Sequence, residues 1–299
     1  MTVSVTRARP GWRPWVMAGR PRTLYAGVSP VLVGTGLAIR HGVFQPLPAI
    51  ATLLAAILIQ VGANYANDLF DFKRGADSEA RTGPTRVTSA GLLTPGQVQA
   101  GMWAVFGASA LIGLYLVYLG GWPILLVGIL SILAAIAYTA GPFPLGYNGL
   151  GDLFVFIFFG LVGVLGTYYL QAHTLSLDVL IASLPVGLLV TDILVVNNVR
   201  DVETDRAVGK RTLAVLLGRN GARAEYIVLL VIAYAVPFVL WLGFGFSAWT
   251  LLPLLTAPLA YGLARTVTTQ TGPVLNRALA GTAQLSALFS LLFAIGIVL

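Results

Sequence analysis

The most regular feature of the chain is a series of long apolar stretches separated by short clusters of glycine, proline and charged residues. A helix needs roughly 20 predominantly apolar residues to cross the hydrocarbon layer of a membrane. With that length as the criterion, the pattern predicts spans at approximately 23–39, 47–67, 98–119, 122–139, 152–171, 178–198, 226–243, 248–265 and 278–298. We therefore predict an all-α integral membrane protein of about nine transmembrane helices, forming a single membrane domain over residues 1–299.

Composition supports a membrane protein and removes some kinds of chemistry. Hydrophobic residues make up 57% of the 299 residues and charged residues only 10%, whereas soluble domains carry roughly 25% charged residues. The chain has no cysteine, so disulfides, thiolate metal ligands and cysteine nucleophiles are excluded.

The basic residues fall almost entirely on one side of the predicted membrane. Nine spans place the N-terminus and the two long polar connections, 68–97 and 199–225, on the same side, which collects 17 of the 18 Lys and Arg and leaves Arg40 opposite. Because Lys and Arg accumulate in cytoplasmic loops, we predict a multi-pass protein of the cell membrane with these loops in the cytoplasm. Residues 1–22, which lack a signal-peptide pattern, are expected to be a basic cytoplasmic lead-in. The net charge of +7 then reflects topology and not nucleic-acid binding.

The first long connection begins with a cluster of acidic and amide side chains. Asn64, Asp68 and Asp71 are spaced i, i+4, i+7, so they are predicted to share one helix face at the end of the second span. Asn67 lies four residues before Asp71, and Asp77 follows on a predicted turn.

The second long connection begins in the same way. Asn198, Asp201 and Asp205 are spaced i, i+3, i+7 at the end of the sixth span, and Lys210 and Arg211 follow shortly afterwards. In both clusters we expect the carboxylates to be exposed groups at helix ends.

Two such clusters on one side of a membrane predict a metal-dependent diphosphate site. Crowded carboxylates repel one another and need a cation, and oxygen ligands favour Mg²⁺, which binds carboxylates, water and substrate phosphate. Neighbouring Lys and Arg would hold the remaining phosphate charge. The alternative is a pair of solvated helix ends with mixed salt bridges, but two clusters of the same design favour a site.

Four segments of the chain resemble a known family. They are "RPRTLYAGVSPVLVGTGLA", "NDLFDFKRGAD…RTGPTR", "YTAGPFPLGYNGLGDLFVFIFFG" and "NNVRDVETDRAVGKRTLAVLLG". Together they resemble the UbiA superfamily of intramembrane aromatic prenyltransferases, and within it the 1,4-dihydroxy-2-naphthoate polyprenyltransferase branch, over nearly the whole chain. The superfamily pattern NDxxDxxxD is altered here, because Gly75 stands four residues after Asp71 and the next acid is Asp77. That departure is typical of the naphthoate branch.

The resemblance implies a UbiA-type bundle around an intramembrane cavity, with Mg²⁺ as the cofactor. It implies transfer of a polyprenyl group from polyprenyl diphosphate to 1,4-dihydroxy-2-naphthoate with loss of CO₂, giving demethylmenaquinone. The long tail of the donor would extend toward membrane lipid. Asp71 and Asp201 would be essential to catalysis. The implied metal ligands are Asn67, Asp68, Asp71, Asp77, Asn198, Asp201 and Asp205, and the implied diphosphate-binding residues are Arg20, Lys73, Arg81, Lys210 and Arg211.

Three further residues near the expected cation are candidates for the chemistry. Tyr138 and Tyr147 flank a Gly/Pro-rich loop; their rings would stabilise an allylic cation or their hydroxyls orient the acceptor, and an interfacial aromatic belt is the alternative. Asp152 starts the fifth long helix, where it is either a helix N-terminal charge or the group that accepts the acceptor's phenolic proton, and the helix-end role is slightly favoured.

Two other functions fit the same pattern. One is prenyl transfer to a different aromatic acceptor, such as 4-hydroxybenzoate, homogentisate or haem. The other, from a different class, is secondary transport of an organic anion, with the two Asp-rich helix ends marking an inverted repeat. Prenyl chain length, homo-oligomer formation and the order of substrate binding are not determined by the sequence.

Overall fold

A computed structural model describes residues 11–76, 83 and 85–299 of the chain. Every regular element among these residues is helical, which confirms the predicted all-α class. Asp77 and Arg81, predicted to bind metal and diphosphate, lie outside the described residues. The α-helices are α1 Trp12–Gly19, α2 Tyr25–Arg40, α3 Pro46–Lys73, α4 Pro95–Gly120, α5 Trp122–Ala137, α6 Gly151–Val155, α7 Gly163–Ala172, α8 Leu177–Ala207, α9 Leu213–Gly243, α10 Ala257–Thr269 and α11 Leu275–Val298.

Within the described residues, six helices are long and apolar enough to cross a membrane. They are Pro46–Lys73, Pro95–Gly120, Gly151–Ala172, Leu177–Ala207, Leu213–Gly243 and Gly272–Val298. They match six of the predicted spans, so the chain is an integral membrane protein. The other three predicted spans are helical but shorter or irregular: α2 and α5 have 16 residues each, and α10 is preceded by a 3₁₀ segment, Ala248–Thr256. The count of nine spans stays a prediction.

Helix α8 carries the second acidic cluster and lies at the centre of the bundle. Most of its apolar stretch is buried inside the protein, where it packs against α9, α11, α2 and the π-helical segment Phe156–Val162 that joins α6 to α7. At that segment a Cβ added to Gly160 would lie 2.7 Å from the Cα of Gly187. Small residues allow such close approach of membrane helices, and here they bring the two backbones together beside the cavity described below.

The turn after α8 sets the position of the basic residue that follows it. Gly209 has a φ of +77°, a conformation that costs glycine little. The chain reverses there, and the backbone N–H of Lys210 donates to the carbonyl of Asp205 at 2.9 Å. Thr212 then caps α9 by accepting from the N–H of Val215. The short segment between α8 and α9 therefore holds Lys210 beside the acidic end of α8.

Candidate active site

A cavity of about 550 Å³ lies inside the bundle. Apolar side chains of α2, α3, α4, α5 and α7 line most of its length, and polar side chains are concentrated where the two acidic clusters meet. Among the described residues, three carboxylates and three cations line it: Asp71, Asp201, Asp205, Arg20, Arg86 and Lys210. The amide side chains that line it are Asn64, Asn67, Asn197, Asn198 and Gln60.

Asp71 is held by groups from three separate segments. Its Oδ1 accepts a hydrogen bond of 2.7 Å from the Tyr147 hydroxyl, and its Oδ2 accepts one of 2.7 Å from Nη2 of Arg86. The Nζ atom of Lys210 lies 3.9 Å from Oδ1. Since all these groups line the same cavity, Asp71 marks the point where the loop after α3, the loop after α5 and the loop after α8 converge.

Asp68 has different surroundings, although it is only three residues away. Its carboxylate accepts hydrogen bonds from the backbone N–H groups of Val87 and Thr88 at 3.1 and 3.0 Å, and from the Thr88 hydroxyl. It is buried and does not line the cavity. We predicted that Asn64, Asp68 and Asp71 share one helix face. At the cavity the residues of α3 are instead Asn64, Asn67 and Asp71, because the Asp68 carboxylate binds the loop at residues 87 and 88.

The asparagines of α3 join this helix to its neighbours at the polar end of the cavity. Asn64 donates to the carbonyl of Gly19 at 2.8 Å and to the Thr23 hydroxyl at 3.1 Å. Arg20, between these two partners, has a φ of +47° and lines the cavity. Asn67 accepts from the Thr139 hydroxyl at 3.2 Å. Asn64 therefore fixes the turn that carries Arg20.

The second cluster forms the opposite wall. Asn198, Asp201 and Asp205 all line the cavity, as their i, i+3, i+7 spacing predicted. Both oxygens of Asp201 accept from the buried Arg200, whose Nη1 also donates to Asn276 at 2.7 Å. Asp205 lies 3.6 Å from Nζ of Lys210, so Lys210 is within reach of both Asp205 and Asp71.

The two tyrosines of the loop after α5 have different contacts. Tyr147 binds Asp71, as described, and its ring centroid lies 4.5 Å from Nζ of Lys210. Tyr138 lines the cavity, and its hydroxyl has no hydrogen-bond partner among the described residues. A Cβ at Gly146 would lie 2.7 Å from the Tyr138 ring, and one at Gly151 would lie 2.9 Å from its hydroxyl oxygen. Two glycines of the loop thus leave room for the Tyr138 side chain.

Besides Asp68, three of the predicted site residues that the structure describes are not part of the cavity lining. Lys73 is exposed and donates to Gln99 at 3.3 Å. Arg211 has an exposed side chain. Asp152 is buried in the first turn of α6, outside the cavity lining, and its Oδ1 has no hydrogen-bond partner among the described residues. That location agrees with the favoured helix-end position. It places the Asp152 carboxylate outside the cavity lining.

The expectation that the acidic groups are exposed at helix ends was wrong. Asp71 is 3% exposed and Asp201 is 5% exposed. The physical reason is that the half-buried Arg86 pairs with Asp71 and the buried Arg200 pairs with Asp201, and a buried charge needs such a partner. Neither arginine is among the site residues predicted from the sequence. Arg86 lies in the "RTGPTR" segment and Arg200 lies between Asn198 and Asp201. Their positions inside the two motif segments were the available sign that they belong to the site.

The donor set fits magnesium bound together with a substrate. No group of three or more Asp, Glu, His or Cys within the described residues is arranged to enclose a metal. Mg²⁺ does not need an all-protein cage, because it is usually bound by one or two carboxylates, waters and substrate phosphates. Asp71 on one wall, Asp201 and Asp205 on the other, and the amides of Asn67 and Asn198 provide such a partial set.

Comparisons with known proteins match the chain to one family by sequence and by fold. The model of the UbiA prenyltransferase family matches residues 27–288. The 1,4-dihydroxy-2-naphthoate octaprenyltransferase of Escherichia coli (strain K12) is 40% identical over 293 residues, covering 95% of each chain. The apo structure of a UbiA homolog from Aeropyrum pernix K1 has a similar fold, with a TM-score of 0.70, 19% identity and coverage of 92% of this chain and 96% of that one. A UbiA homolog from Archaeoglobus fulgidus bound to GPP and Mg²⁺ matches with a TM-score of 0.66, 16% identity and coverage of 95% and 99%.

Proposed function

The chain belongs to the UbiA prenyltransferase family, and on that premise we propose that it transfers a polyprenyl group from polyprenyl diphosphate to 1,4-dihydroxy-2-naphthoate. In this reaction the allylic C–O bond breaks and diphosphate leaves. A C–C bond then forms at the ring carbon that bears the carboxylate, which is lost as CO₂ and leaves its bonding electrons in the ring, so the immediate product is the 1,4-dihydroxy (quinol) form of demethylmenaquinone. The single observation that carries the proposal is one cavity with a carboxylate- and cation-lined end and an apolar body.

The polar end of the cavity suits the diphosphate. Magnesium bound there would neutralise charge on the departing diphosphate oxygens. Asp71, Asp201 and Asp205, with the amides of Asn67 and Asn198, are the residues that would hold it. Among the predicted ligands that the structure describes, Asp68 is the least suited, because its carboxylate is already bound to the backbone at residues 87 and 88.

Three cations of the chain can hold the substrate charge that the metal leaves. Arg20, Arg86 and Lys210 line the same end of the cavity. Arginine presents a planar set of donors that matches phosphate geometry, whereas lysine acts as a point charge. Groups that are already in place before the C–O bond breaks stabilise the developing anion without reorganisation.

The apolar body of the cavity suits the prenyl chain and the aromatic ring. Phe154, Phe158, Phe159 and Leu194 are among the side chains that line it. A water-poor wall keeps a reactive allylic cation from being hydrolysed. Tyr138 is suited to the acceptor, since it lines the cavity, its hydroxyl has no partner among the described residues, and its neutral phenol is a hydrogen-bond donor at physiological pH.

The proposal includes a location. We propose the cell membrane, with the polar end of the cavity facing the cytoplasm. The support is the distribution of charge, because the segments that surround this end carry nearly all the Lys and Arg of the chain, and such segments stay cytoplasmic.

Purified protein in detergent tests the function directly. It is given farnesyl diphosphate and, separately, 1,4-dihydroxy-2-naphthoate, 4-hydroxybenzoate, homogentisate and haem, each with magnesium or with EDTA. We expect prenylated product with the naphthoate, release of one CO₂ per product, and no turnover with EDTA. A strong preference for another acceptor would refute the naphthoate assignment. Uptake of labelled organic anion into sealed vesicles without its consumption would support the transporter instead.

A further inference from the structure

The neutral polar side chains that line the cavity differ in whether the protein already binds them. The hydroxyls of Thr52 and Thr167 each donate to a carbonyl of their own helix at 2.7 Å, and the Ser109 hydroxyl donates to a carbonyl of α3 at 3.2 Å. The Thr139 hydroxyl donates to Asn67 at 3.2 Å. Because these hydroxyls are satisfied inside the protein, a ligand gains little from them.

Gln60 of α3 is different. Its half-buried side chain lines the cavity and makes no hydrogen bond to the described residues. A primary amide carries two N–H donors and a carbonyl acceptor, and leaving them unpaired at an apolar wall costs free energy. A ligand with a matching polar group recovers that free energy when it binds, so Gln60 is placed to contact a ligand.

Gln60 shares one face of α3 with the residues of the polar end. Gln60, Asn64, Asn67 and Asp71 are spaced i, i+4, i+7, i+11, and all four line the cavity. At a rise of 1.5 Å per residue, Gln60 lies about 16.5 Å from Asp71 along the helix axis. With the diphosphate held at Asp71, Gln60 stands deeper in the cavity, on the side where the acceptor ring has to lie.

The packing of α2 fixes the level of Gln60 in the cavity. A Cβ added at Gly27 of α2 would lie 3.5 Å from the Cβ of Gln60. Ala26, the preceding residue, is buried in a cluster with Val190 and Ile193 of α8. Gln60 is therefore level with this part of the central helix.

The Tyr138 hydroxyl lies close to the same part of α8. A Cβ added at Gly151 would lie 2.9 Å from this hydroxyl oxygen and 3.3 Å from Cδ2 of Leu194. Leu194 directly follows Ile193 in α8. The Tyr138 hydroxyl and the Gln60 amide, which come from different walls, therefore lie within about one helical turn of each other along the cavity.

The chemistry of the acceptor assigns one hydroxyl to each of these groups. The new C–C bond joins the ring to the carbon that leaves the diphosphate, so the ring carbon that bears the carboxylate has to face the polar end. One hydroxyl is beside that carbon, and the other lies across the ring at C4. Tyr138 precedes Thr139, which is bound to Asn67 near the acids. Tyr138 is thus the nearer group, and Gln60 meets the hydroxyl at C4.

A neutral amide at this level suits a hydroxyl better than a carboxylate. Among the described residues, the cations that line the cavity are Arg20, Arg86 and Lys210, and they lie at its polar end. In 4-hydroxybenzoate the attacked carbon is beside the hydroxyl, so the carboxylate would lie across the ring, toward Gln60. Burying a carboxylate there without a cation costs far more free energy than burying a hydroxyl.

We propose that Gln60 is the specificity-determining residue for a 1,4-dihydroxylated aromatic acceptor, and that its amide oxygen accepts a hydrogen bond from the hydroxyl at C4. This inference rests on the proposed function, since it takes 1,4-dihydroxy-2-naphthoate as the acceptor. A site built to bind a substrate hydroxyl discriminates against an analogue that lacks it, because the polar group of the protein is then left unpaired.

An acceptor without the C4 hydroxyl tests this contact. Purified protein in detergent is given farnesyl diphosphate, magnesium and either 1,4-dihydroxy-2-naphthoate or 1-hydroxy-2-naphthoate, without oxygen, because a 1,4-diol oxidises to a quinone. Gln60→Met keeps the length of the side chain and removes the amide. We expect the preference for the diol, as a ratio of kcat/KM values, to fall about tenfold in this variant, the equivalent of one hydrogen bond. The KM for farnesyl diphosphate should not change.

Thr52→Val is the matched control. Thr52 also lies on α3 and lines the cavity, but its hydroxyl is bound within the helix, so the preference for the diol should stay the same. Ser131 of α5 lines the cavity and makes no hydrogen bond to the described residues. If Ser131→Ala lowers the preference and Gln60→Met does not, the hydroxyl is bound from α5 and the proposal is wrong. An unchanged preference in both variants would also overturn it.

A binding measurement separates this inference from the proposed reaction. Titration calorimetry with magnesium and inorganic diphosphate, and no prenyl donor, gives the affinity for each naphthoate. Gln60→Met should bind the diol about tenfold more weakly than the wild type and should bind 1-hydroxy-2-naphthoate equally well. Weaker binding of the diol, with no product from the wild type, would support the contact and refute the proposed reaction. Product from the wild type, with equal binding of the diol by both proteins, would refute the contact alone.

Discussion

Replacing Tyr147 by phenylalanine removes one of the two short hydrogen bonds that hold Asp71. The Tyr147 hydroxyl binds Oδ1 and Arg86 binds Oδ2, each at 2.7 Å. The Asp71 side chain is 4% exposed, so little water is available to replace the lost donor. The phenylalanine ring keeps the face that Lys210 contacts at 4.5 Å. Among the contacts of the described residues, the change therefore acts on the orientation of the Asp71 carboxylate.

The expected loss follows from the energy of that bond. A hydrogen bond to a charged group contributes about 1.5–3 kcal/mol, and each 1.36 kcal/mol corresponds to a factor of ten. Removing a group that orients a metal-binding carboxylate typically costs 10–100-fold in metal affinity or activity. We expect kcat/KM to fall by about ten- to one-hundredfold, and the half-saturating magnesium concentration to rise by a similar factor, by the same reasoning.

The assay is turnover of farnesyl diphosphate and 1,4-dihydroxy-2-naphthoate over a range of magnesium concentrations. High magnesium should restore most of the activity of Tyr147→Phe, which a general loss of folded protein would not allow. Tyr138→Phe is the matched control, because its hydroxyl does not contact a carboxylate of the described residues; it should lower turnover without moving the magnesium dependence. Tyr147 does not orient a metal-binding carboxylate if the half-saturating magnesium concentration of Tyr147→Phe stays within about twofold of the wild-type value.

Four other substitutions separate the roles of the buried acids. Asp71→Asn or Asp201→Asn should abolish turnover while the protein still elutes as a folded species in detergent, and retained activity would contradict the metal assignment. Asp68→Ala should lower the stability of the fold, because it leaves buried donors at residues 87 and 88 without an acceptor, at a cost of about 3 kcal/mol. The melting temperature should therefore fall. An unchanged melting temperature would show that Asp68 does not support that loop. Asp192→Leu should raise the melting temperature. Both oxygens of this fully buried carboxyl lack a partner among the described residues, and burying such a group is costly. A lower melting temperature would reveal an unrecognised partner.

The membrane class and the helical class were determined by the sequence. Within lipid the backbone must form its hydrogen bonds internally. A long, continuously apolar segment that crosses the membrane therefore forms a helix. Six of the predicted spans are long helices for that reason. The common face of Asn198, Asp201 and Asp205 was predicted in the same way, because their spacing matches the helical repeat, and all three line the cavity.

The periodicity of a helix predicts which residues share a face, but not which other segments pack against that face. Asp68 and Asp71 are three residues apart on α3, yet one is bound by the backbone at residues 87 and 88 and the other by Arg86 and Tyr147. Arg86 and Tyr147 are distant from Asp71 in sequence, and their approach depends on how the loops after α3 and α5 fold back over the bundle. For the same reason the spacing gave no sign that the carboxylates are buried. The sequence by itself determined the helices and the chemical composition of the site, because both follow from local spacing and residue type. The tertiary structure alone decided which acid meets which cation, because those contacts join segments that local spacing does not relate.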